Sequence, residues 1–322
     1  MIAIEFRPPK WWPAVAVQCF DDLVAYRLVG ASSCADAIVE SLVEIGAACE
    51  GRAEGVAELS AAGAAFQRLK PDTALYTNVI DIVLGADATP AVVAGRAVGL
   101  SGYRTDARRK VASATTEYLR DASTILVHDY SSAVLAALQQ LASSGQSRRV
   151  VVTECGFLGQ GPRTASLVQS MGHRVAYSSD CSVGRWVAEV DVFVTGVEAF
   201  FVDGSMANTV GTYAIGLLCR EAGVPVLAPA ELLKLDHSAP TARRSSLRAR
   251  LLHPWPSRGD VDVQQCEVDD HVLDAVPARL VTAYATESGL LPPAAIGAEA
   301  QRAIDSLMSV DIDGSRSRRK GV

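Results

Sequence analysis

Acidic, amide and hydroxyl side chains follow short apolar runs in three loops of this chain. The loops are Glu154 to Arg163, Gly196 to Asn208 and Pro229 to Lys234. The runs before them are rich in β-branched residues and are typical of parallel strands that are covered on both faces. Ligands of such sheets bind beyond the carboxyl ends of the strands, so these loops are the first candidates for a binding or catalytic site.

Two further segments have the residues to bind an anion at the start of a helix. Gly30, Ala31 and Ser32 form a small-residue turn before an apolar-periodic segment, and Arg27 lies just before them. Lys70 to Thr73 precedes a second such segment. Backbone N–H groups at a helix N-terminus can receive a phosphate, but ordinary helix starts carry the same capping residues. The residues alone leave both interpretations open.

The elements that position these residues change in character near residue 120. From about Cys19 to Ala122, apolar residues recur at helical spacing, whereas from Thr124 to about Leu290 strand-like runs alternate with helix-like segments. This pattern predicts a helical N-terminal domain (residues 1–120) followed by a doubly wound, mainly parallel, Rossmann-like α/β domain (residues 121–310). The polar residues 311–322 are predicted to be a disordered tail.

The composition excludes several classes of protein. The 322 residues are 49% hydrophobic and 20% charged, which is enough for a large core, and the formal net charge of -6 argues against nucleic acid as a partner. The seven cysteines show no CxxC spacing, so neither a zinc site nor a disulfide framework is predicted. No segment has the length and apolarity of a membrane span. We therefore expect a soluble, cytoplasmic protein without membrane contact.

A series of short motifs along the whole chain resembles one superfamily. In order they are RLVGASSCADAI, LKPDTALYTNVI, ILVHDYSS, VTECGFLGQG, SSDCSVGRW, VTGVEAFFVDGSMANTVGTY, APAELLK and LVTAYATESGLLPP. The superfamily comprises the regulatory alpha, beta and delta subunits of eukaryotic translation initiation factor 2B, methylthioribose-1-phosphate isomerase and ribose-1,5-bisphosphate isomerase. No single motif is decisive, but their order is specific.

The resemblance implies a pocket for a small phosphorylated sugar or a nucleotide. The positions that match the ligand-binding elements of the family are Arg27, Gly30, Ala31, Ser32, Lys70, Thr73, Gln160, Gly161, Arg163, Asp180, Asn208 and Lys234. Gln160, Gly161 and Arg163 resemble the element that approaches the ligand phosphate. Asp180 and Asn208 have side chains that can hold sugar hydroxyls.

The resemblance also points to the reacting groups. In the two isomerase families these are a cysteine after the first strand of the α/β domain and an aspartate after a later strand, and the matching positions here hold Asp129 and Glu198. Two carboxylates can push their pKa values apart, so that one donates a proton while the other accepts one. Asp129 and Glu198 are therefore the predicted catalytic pair. The longer Glu198 side chain can displace its carboxylate by about an ångström and lower the rate by up to roughly a hundredfold.

Two more departures from the family remove positive charge. Where the family commonly reads ETRP, this chain has Glu154 to Phe157, and where it reads NKIGT, Thr209 replaces the lysine. Fewer cations imply either a ligand with less phosphate charge or a phosphate held chiefly by backbone N–H groups and Arg163. Cys155 is either a displaced thiol or a small apolar residue. Lys234 is either a ligand-binding cation or the last-turn cation of a helix.

Two functions of different class follow. The retained pocket elements favour an isomerase-like enzyme that converts an aldose 1-phosphate to a ketose 1-phosphate, on a phosphorylated pentose or a related sugar. The loss of the cysteine favours a non-catalytic subunit, like those of initiation factor 2B, that binds a nucleotide or a sugar phosphate. The resemblance further implies a homodimer through the C-terminal domain. No metal and no redox cofactor are predicted, since the sequence has neither a ligand cluster nor a GxGxxG after a strand.

Overall fold

The computed structural model describes residues 6–25, 27–28, 30–69, 73–85, 88–156, 158–242 and 271–309. Lys70 and the predicted disordered tail, residues 311–322, lie outside the described residues. The helices are α1 (Ala14–Val24), α2 (Ala31–Ala48), α3 (Gly55–Leu69), α4 (Ala74–Leu84), α5 (Pro90–Tyr118), α6 (Ser132–Ser143), α7 (Gly161–Ser170), α8 (Val183–Val187), α9 (Thr212–Ala222) and α10 (Pro293–Met308). The strands are β1 (Thr124–His128), β2 (Arg149–Thr153), β3 (Arg174–Ser178), β4 (Val192–Thr195), β5 (Ala199–Phe200), β6 (Met206–Thr209), β7 (Val226–Pro229), β8 (Leu273–Val276), β9 (Ala283–Thr286) and β10 (Gly289–Leu291).

Helices α1 to α5 form because their apolar residues recur at helical spacing and share one buried face. In α2, for example, Ile38, Leu42 and Ile45 are all fully buried, as expected of residues three and four positions apart. The long helix α5 begins at Pro90, whose missing N–H costs nothing in the first turn. Its N-cap Thr89 accepts a hydrogen bond from the backbone N–H of Val92.

The main sheet has the strand order β10-β9-β7-β4-β1-β2-β3. All of its pairs are parallel except β9 with β10. Along β1, Ile125 and Val127 pack into a cluster with residues of α6, whereas Leu126 packs into another cluster with residues of α8 and α9. Both faces of the sheet are therefore covered by helices. The predicted fold class, a helical N-terminal part followed by a doubly wound, mainly parallel α/β part, is confirmed.

The helical part and the sheet share one apolar core. A single cluster of buried side chains joins α1 to α5 with residues of the α/β part, among them Phe200, Leu233, Tyr284 and Ile296. The last N-terminal helix ends at Tyr118 and the first strand begins at Thr124. The division into two domains near residue 120 stays a prediction.

A second, smaller sheet lies where the sequence predicted a loop. The segment Gly196 to Asn208 contains β5 and most of β6, which pair antiparallel, and β6 pairs in turn with β8. The segment Pro229 to Lys234 contains the end of β7 and a single 3₁₀ turn over residues 232–234. The small sheet holds the end of β6 against the carboxyl end of the main sheet, and so helps to shape the site.

Candidate functional site

The site lies at the point where the strand order of the main sheet reverses. From β1 the order runs through β2 and β3 to one edge, and from β4 through β7 and β9 to the other. Ligands of doubly wound sheets bind at this switch point, beyond the carboxyl ends of the strands. Asp129 follows β1 directly and Glu198 lies three residues after β4. The two loops are in contact, because a Cβ atom added at Gly196 would lie 2.9 Å from Cβ of Ser131.

Asp129 is held by neutral donors at a strained backbone position. Its φ of 72° lies in the left-handed region, which aspartate enters more readily than most residues. The Thr209 hydroxyl donates to Oδ2, and the Cys155 thiol lies 3.7 Å from Oδ1. Burial raises the pKa of Asp129 above its ordinary value, and the nearby charge of Glu198 adds to this, whereas the Thr209 hydroxyl, the Tyr130 backbone N–H and His128 oppose it. The carboxyl group therefore keeps a proton to higher pH than an exposed aspartate.

His128, the last residue of β1, is fixed by two hydrogen bonds directly before Asp129, a feature that sequence reasoning missed. Its Nε2 lies 3.0 Å from the carbonyl oxygen of Val210 and its Nδ1 lies 2.6 Å from the Thr153 hydroxyl. Because a carbonyl only accepts, Nε2 carries the hydrogen and Nδ1 accepts from Thr153. The ring is buried. A Cβ atom at Gly211 would lie 2.8 Å from Nε2, so only glycine fits there without displacing the ring.

Glu198 receives a hydrogen bond from the helical part of the chain. The buried Thr73 hydroxyl donates to Oε1 of Glu198 at 2.5 Å. Thr73 is the N-cap residue of α4, but its hydroxyl bonds Glu198 instead of the helix backbone. Lys234 donates to the carbonyl oxygen of Val197 at 2.5 Å. Burial lowers the pKa of Lys234, while the carboxylates of Glu198 and Glu231 favour its charged form.

Asp180 braces the loop after β2. Its carboxylate accepts hydrogen bonds from the backbone N–H groups of Cys155 at 3.0 Å and Gly156 at 2.9 Å. Its own N–H donates to Oε1 of Glu154 at 3.1 Å. Burial raises the pKa of the Cys155 thiol, with Asp129 and Asp180 as further causes, so the thiol holds its proton at neutral pH. One main-chain donor thus holds each oxygen of the Asp180 carboxylate, and its predicted contact with sugar hydroxyls stays a prediction.

Asn208, in β6, lies at the carboxyl end of the main sheet with the other site residues and is buried. Its Nδ2 donates to the hydroxyls of Thr195 at 2.9 Å and Thr212 at 3.0 Å. Both amide hydrogens are therefore used within the protein, and the carboxamide oxygen is the atom left for a ligand. That oxygen lies 3.7 Å from the position of a Cβ atom at Gly196, in the loop that leads to Glu198.

Two of the residues predicted to bind the ligand, Arg163 and Gly30, lie at the ring of Tyr130. The Arg163 guanidinium lies 4.5 Å from the Tyr130 ring centroid and is exposed. Gly30 lies on the same ring, because a Cβ atom there would be 3.5 Å from Cε1. Gln160 is the N-cap residue of α7 without a side-chain cap bond, and Gly161 begins the helix so close to β2 that a Cβ atom would lie 2.2 Å from the Glu154 carbonyl oxygen. The N-terminus of α7 is thus forced against the strand end.

At the start of α2, near Gly30, backbone N–H groups rather than side chains are left to meet a ligand. Gly30 is the N-cap residue of α2 and Ala31 its first residue, without a side-chain cap bond. The Ser32 hydroxyl donates to Oε1 of Glu231 at 2.9 Å and is buried, so it is engaged within the protein. Arg27 is exposed and forms an ion pair with Asp22 at 2.6 Å. This pairing gives no support to its predicted phosphate contact.

Among the residues that the structure describes, no group of three or more His, Cys, Asp and Glu side chains could hold a metal ion. In the same part of the chain, no helix has the length and apolarity to cross a membrane.

The chain combines a helical N-terminal part with a doubly wound α/β sheet that has two carboxylates at its switch point. Its class is therefore that of the doubly wound α/β proteins with a site at the strand ends. The model of the initiation factor 2 subunit family matches residues 49–293. The chain belongs to that family, and the family prediction made from the motifs is confirmed.

Relatives with two different functions are similar to the chain. It is 30% identical over 207 residues to translation initiation factor eIF2B subunit alpha of Dictyostelium discoideum, a match that spans 62% of this chain and 64% of that protein. It is 26% identical over 307 residues to ribose 1,5-bisphosphate isomerase of Haloterrigena turkmenica, which covers 90% of this chain and 94% of that protein. The chain thus spans less than two thirds of the first relative and nearly all of the second.

Solved structures share the fold. Translation initiation factor eIF-2B of Pyrococcus horikoshii OT3 superposes with a TM-score of 0.73 at 21% identity, covering 87% of this chain and 98% of that one. 5-Methylthioribose 1-phosphate isomerase of the same organism superposes with a TM-score of 0.72 at 16% identity, covering 91% and 88%. At these identities the likeness establishes the fold alone.

Proposed function

We propose that this chain is a sugar-phosphate isomerase-like enzyme, which converts an aldose 1-phosphate to a ketose 1-phosphate with Asp129 and Glu198 as its acid and base. One observation carries the proposal. Two carboxylates follow the two strands of the switch point, each is held by a threonine hydroxyl, and neither forms an ion pair with another described residue. Carboxyl groups held in this way can change protonation without breaking a direct ion pair.

The reaction balances without a cofactor. When the ring of the aldose 1-phosphate opens, the bond between C1 and the ring oxygen breaks and that oxygen takes a proton. The electron pair of that bond stays on the ring oxygen. The hydrogen on C2 then moves with its own electron pair, as a hydride, to C1, so that C1 is reduced, and C2 is oxidised to the ketone as its hydroxyl gives up its proton. Asp129 is the proton donor to the ring oxygen, since burial raises its pKa. Glu198 is the base for the C2 hydroxyl.

The substrate is proposed to be a phosphorylated pentose or a related sugar with little phosphate charge. Arg163 is exposed over the ring of Tyr130, the residue after Asp129, and Lys234 lies near Glu198. Around them Asp129, Glu154, Asp180 and Glu198 make the switch point rich in carboxylates, which disfavours a second phosphate group. Isomerases of ribose 1,5-bisphosphate and methylthioribose 1-phosphate are similar to this chain, and they support the sugar-phosphate class.

Turnover of purified protein tests the proposal. The chain is incubated with a panel of aldose 1-phosphates and the products are followed by phosphorus NMR. We expect formation of a ketose 1-phosphate, and a fall in kcat of roughly 10²- to 10⁴-fold in Asp129→Asn and in Glu198→Gln. Glu221→Gln, an exposed carboxylate on α9, is the matched control and keeps the wild-type rate. The absence of turnover, or a rate indifferent to Asp129→Asn, contradicts the proposal.

A second candidate is a non-catalytic subunit that binds a nucleotide or a sugar phosphate. The 30% identity to a subunit of initiation factor 2B favours it. A thermal-shift screen separates the two functions, because a ligand at a hundred times its Kd stabilises the fold by about 2.7 kcal/mol. A ligand that raises Tm but is never converted supports the binding function; conversion that depends on Asp129 excludes it.

We also propose a cytoplasmic homodimer joined through the α/β part. Leu217 and Leu218 on α9 are apolar and exposed, as expected of residues that a second copy covers. Light scattering should give twice the mass of the chain. A monomeric mass at working concentration contradicts the dimer and leaves the proposed reaction untouched.

A further inference from the structure

Two departures from the family meet in the folded chain. Asp129 stands where the isomerases have their cysteine, and Thr209 stands where the family has a lysine. They are 80 residues apart in sequence, yet the Thr209 hydroxyl donates directly to Oδ2 of Asp129. The two replacements therefore form one contact, in which a neutral hydroxyl faces a carboxyl group.

The backbone around Thr209 is fixed from several sides. Thr209 pairs with Leu273 across the small sheet, and its carbonyl oxygen accepts from the Thr212 hydroxyl at 2.6 Å. The next residue, Val210, donates its N–H to the carbonyl oxygen of Val272 at 3.0 Å and accepts from Nε2 of His128. The hydroxyl is thus presented from a rigid support, and the side chain is buried.

The two oxygens of Asp129 are held with different strength. A hydroxyl is a strong donor, and Thr209 bonds Oδ2. A thiol is a weak donor, and Cys155 lies 3.7 Å from Oδ1. The weakly held oxygen is the one that can exchange a proton at low cost.

We propose that Thr209 is a positioning residue for Asp129: its hydroxyl anchors Oδ2 and leaves Oδ1, beside the Cys155 thiol, as the oxygen that transfers a proton to the ligand. This inference rests on the proposed function for the transfer itself. The anchoring is a property of the free protein.

The anchor also controls when Asp129 loses its proton. The groups that face the carboxyl group are His128 from β1, Cys155 from the loop after β2, Glu198 from the loop after β4, Thr209 from β6 and the backbone N–H of Tyr130. The Thr209 bond favours the carboxylate and lowers the pKa of Asp129, against the larger effect of burial. Without the hydroxyl, burial and Glu198 are less opposed, and the proton is held to higher pH.

The test compares Thr209→Val, which removes the hydroxyl at nearly constant shape, with Thr209→Ser, which restores it. The titration of Asp129 is followed by NMR on protein with carbon-labelled aspartate, the signal being assigned by its loss in Asp129→Asn. We expect the midpoint in Thr209→Val to rise by about one to two pH units, since hydrogen bonds to charged groups have that magnitude. Thr209→Ser should return it to the wild-type value. The limb of the kcat profile that Asp129 governs should move with it.

Controls separate this inference from the proposed function. Thr115→Val removes another buried threonine hydroxyl, which bonds the Val111 carbonyl within α5, and should leave the Asp129 midpoint unchanged. Thr209→Ala replaces the valine variant if that one does not fold. An unchanged midpoint in a folded Thr209→Val protein, or no recovery in Thr209→Ser, overturns the positioning role even if turnover is found. A shifted midpoint in a protein without turnover supports the anchoring and contradicts the proposed reaction.

Discussion

Two regions of this molecule hold carboxylates that are partly or fully withdrawn from solvent, and these carboxylates are compensated in different ways. At the switch point, Asp129 and Glu198 accept hydrogen bonds from Thr209 and Thr73. Between the helical part and the sheet, Glu231 instead pairs with Arg104, which is 1% exposed and also bonds Asp36. The carboxyl groups at the switch point are hydrogen-bonded by neutral hydroxyls, whereas the charge of Glu231 is balanced by a guanidinium.

The two kinds of compensation suit two different roles, proton exchange at the switch point and the joining of two parts of the chain at Arg104. Removing one partner of an ion pair around a buried arginine leaves an uncompensated buried charge, so such a pair holds the elements that carry it together. A hydroxyl accepts either protonation state of its partner at a much smaller cost. The Arg104 cluster therefore ties the helical part to the loop after β7, whereas Asp129 is free to gain and lose a proton.

The largest expected effect is on catalysis at the switch point. Asp129→Asn removes the proton donor but keeps the shape and the contacts of the side chain, so kcat should fall roughly 10²- to 10⁴-fold. The melting temperature should not fall, since the variant removes a carboxyl group that burial makes unfavourable when charged. The two measurements are made on the same preparation. A parallel loss of stability would mean that Asp129 is structural, as Arg104 is.

The next effect is on stability at the Arg104 cluster. Arg104→Met fills similar volume but leaves Glu231 as an unpaired buried carboxylate, which costs about 3–5 kcal/mol in the free energy of unfolding. Urea denaturation measures it. Arg109→Met is the control and should change little, because Arg109 lies on the same helix but is exposed and, within the described part of the chain, pairs with the exposed Asp106. If both variants unfold at the same urea concentration, the arginine does not hold the two parts together.

A smaller loss of folding stability is expected at Gly211, where the backbone packs against the His128 ring. Gly211 has a φ of 107°, and a Cβ atom there would meet the His128 ring. Gly211→Ala should therefore cost about 1–3 kcal/mol. Gly99→Ala, in the middle of α5 with nothing within 4 Å of the added atom, should stabilise the fold by about 0.4–1 kcal/mol. Opposite signs in thermal unfolding confirm the close contact; equal signs would mean that the ring moves aside.

The same comparison explains which features the sequence could predict. Strand runs and helical periodicity are local, so the fold class follows from them, whereas the choice of Asp129 and Glu198 follows from the resemblance to the family. The contact between Asp129 and Thr209 depends on how the small sheet closes over the main one, which no local pattern specifies. Arg104 lies in the polar run RTDARRK and looks solvent-facing; its burial follows from Glu231, 127 residues away. The predicted contact of Asp180 with sugar hydroxyls stays a prediction, whereas its bonds to the main-chain N–H groups of Cys155 and Gly156 depend on tertiary contacts that no local pattern specifies.

The smallest effect is the pH dependence of stability, and its sign tests the comparison most directly. The folded pKa of Asp129 is raised above its ordinary value of 3.8, so the wild type loses stability as pH rises from about 4 through the folded pKa, and then levels off. Asp129→Asn lacks this loss, and its advantage in stability should grow over that window to about 1.4 kcal/mol per unit of raised pKa.

The stability contribution of Asp106 has the opposite sign, because Lys110 and Arg109 lower its pKa. Its contribution is present above the ordinary pKa and fades as pH falls, so Asp106→Asn should differ from the wild type at neutral pH and converge with it in acid. Urea denaturation at several pH values measures the difference in free energy of unfolding between each variant and the wild type. Opposite slopes of this difference against pH would distinguish the proton-exchanging Asp129 from the ion-paired Asp106. A difference for Asp129→Asn that does not change with pH would contradict the comparison.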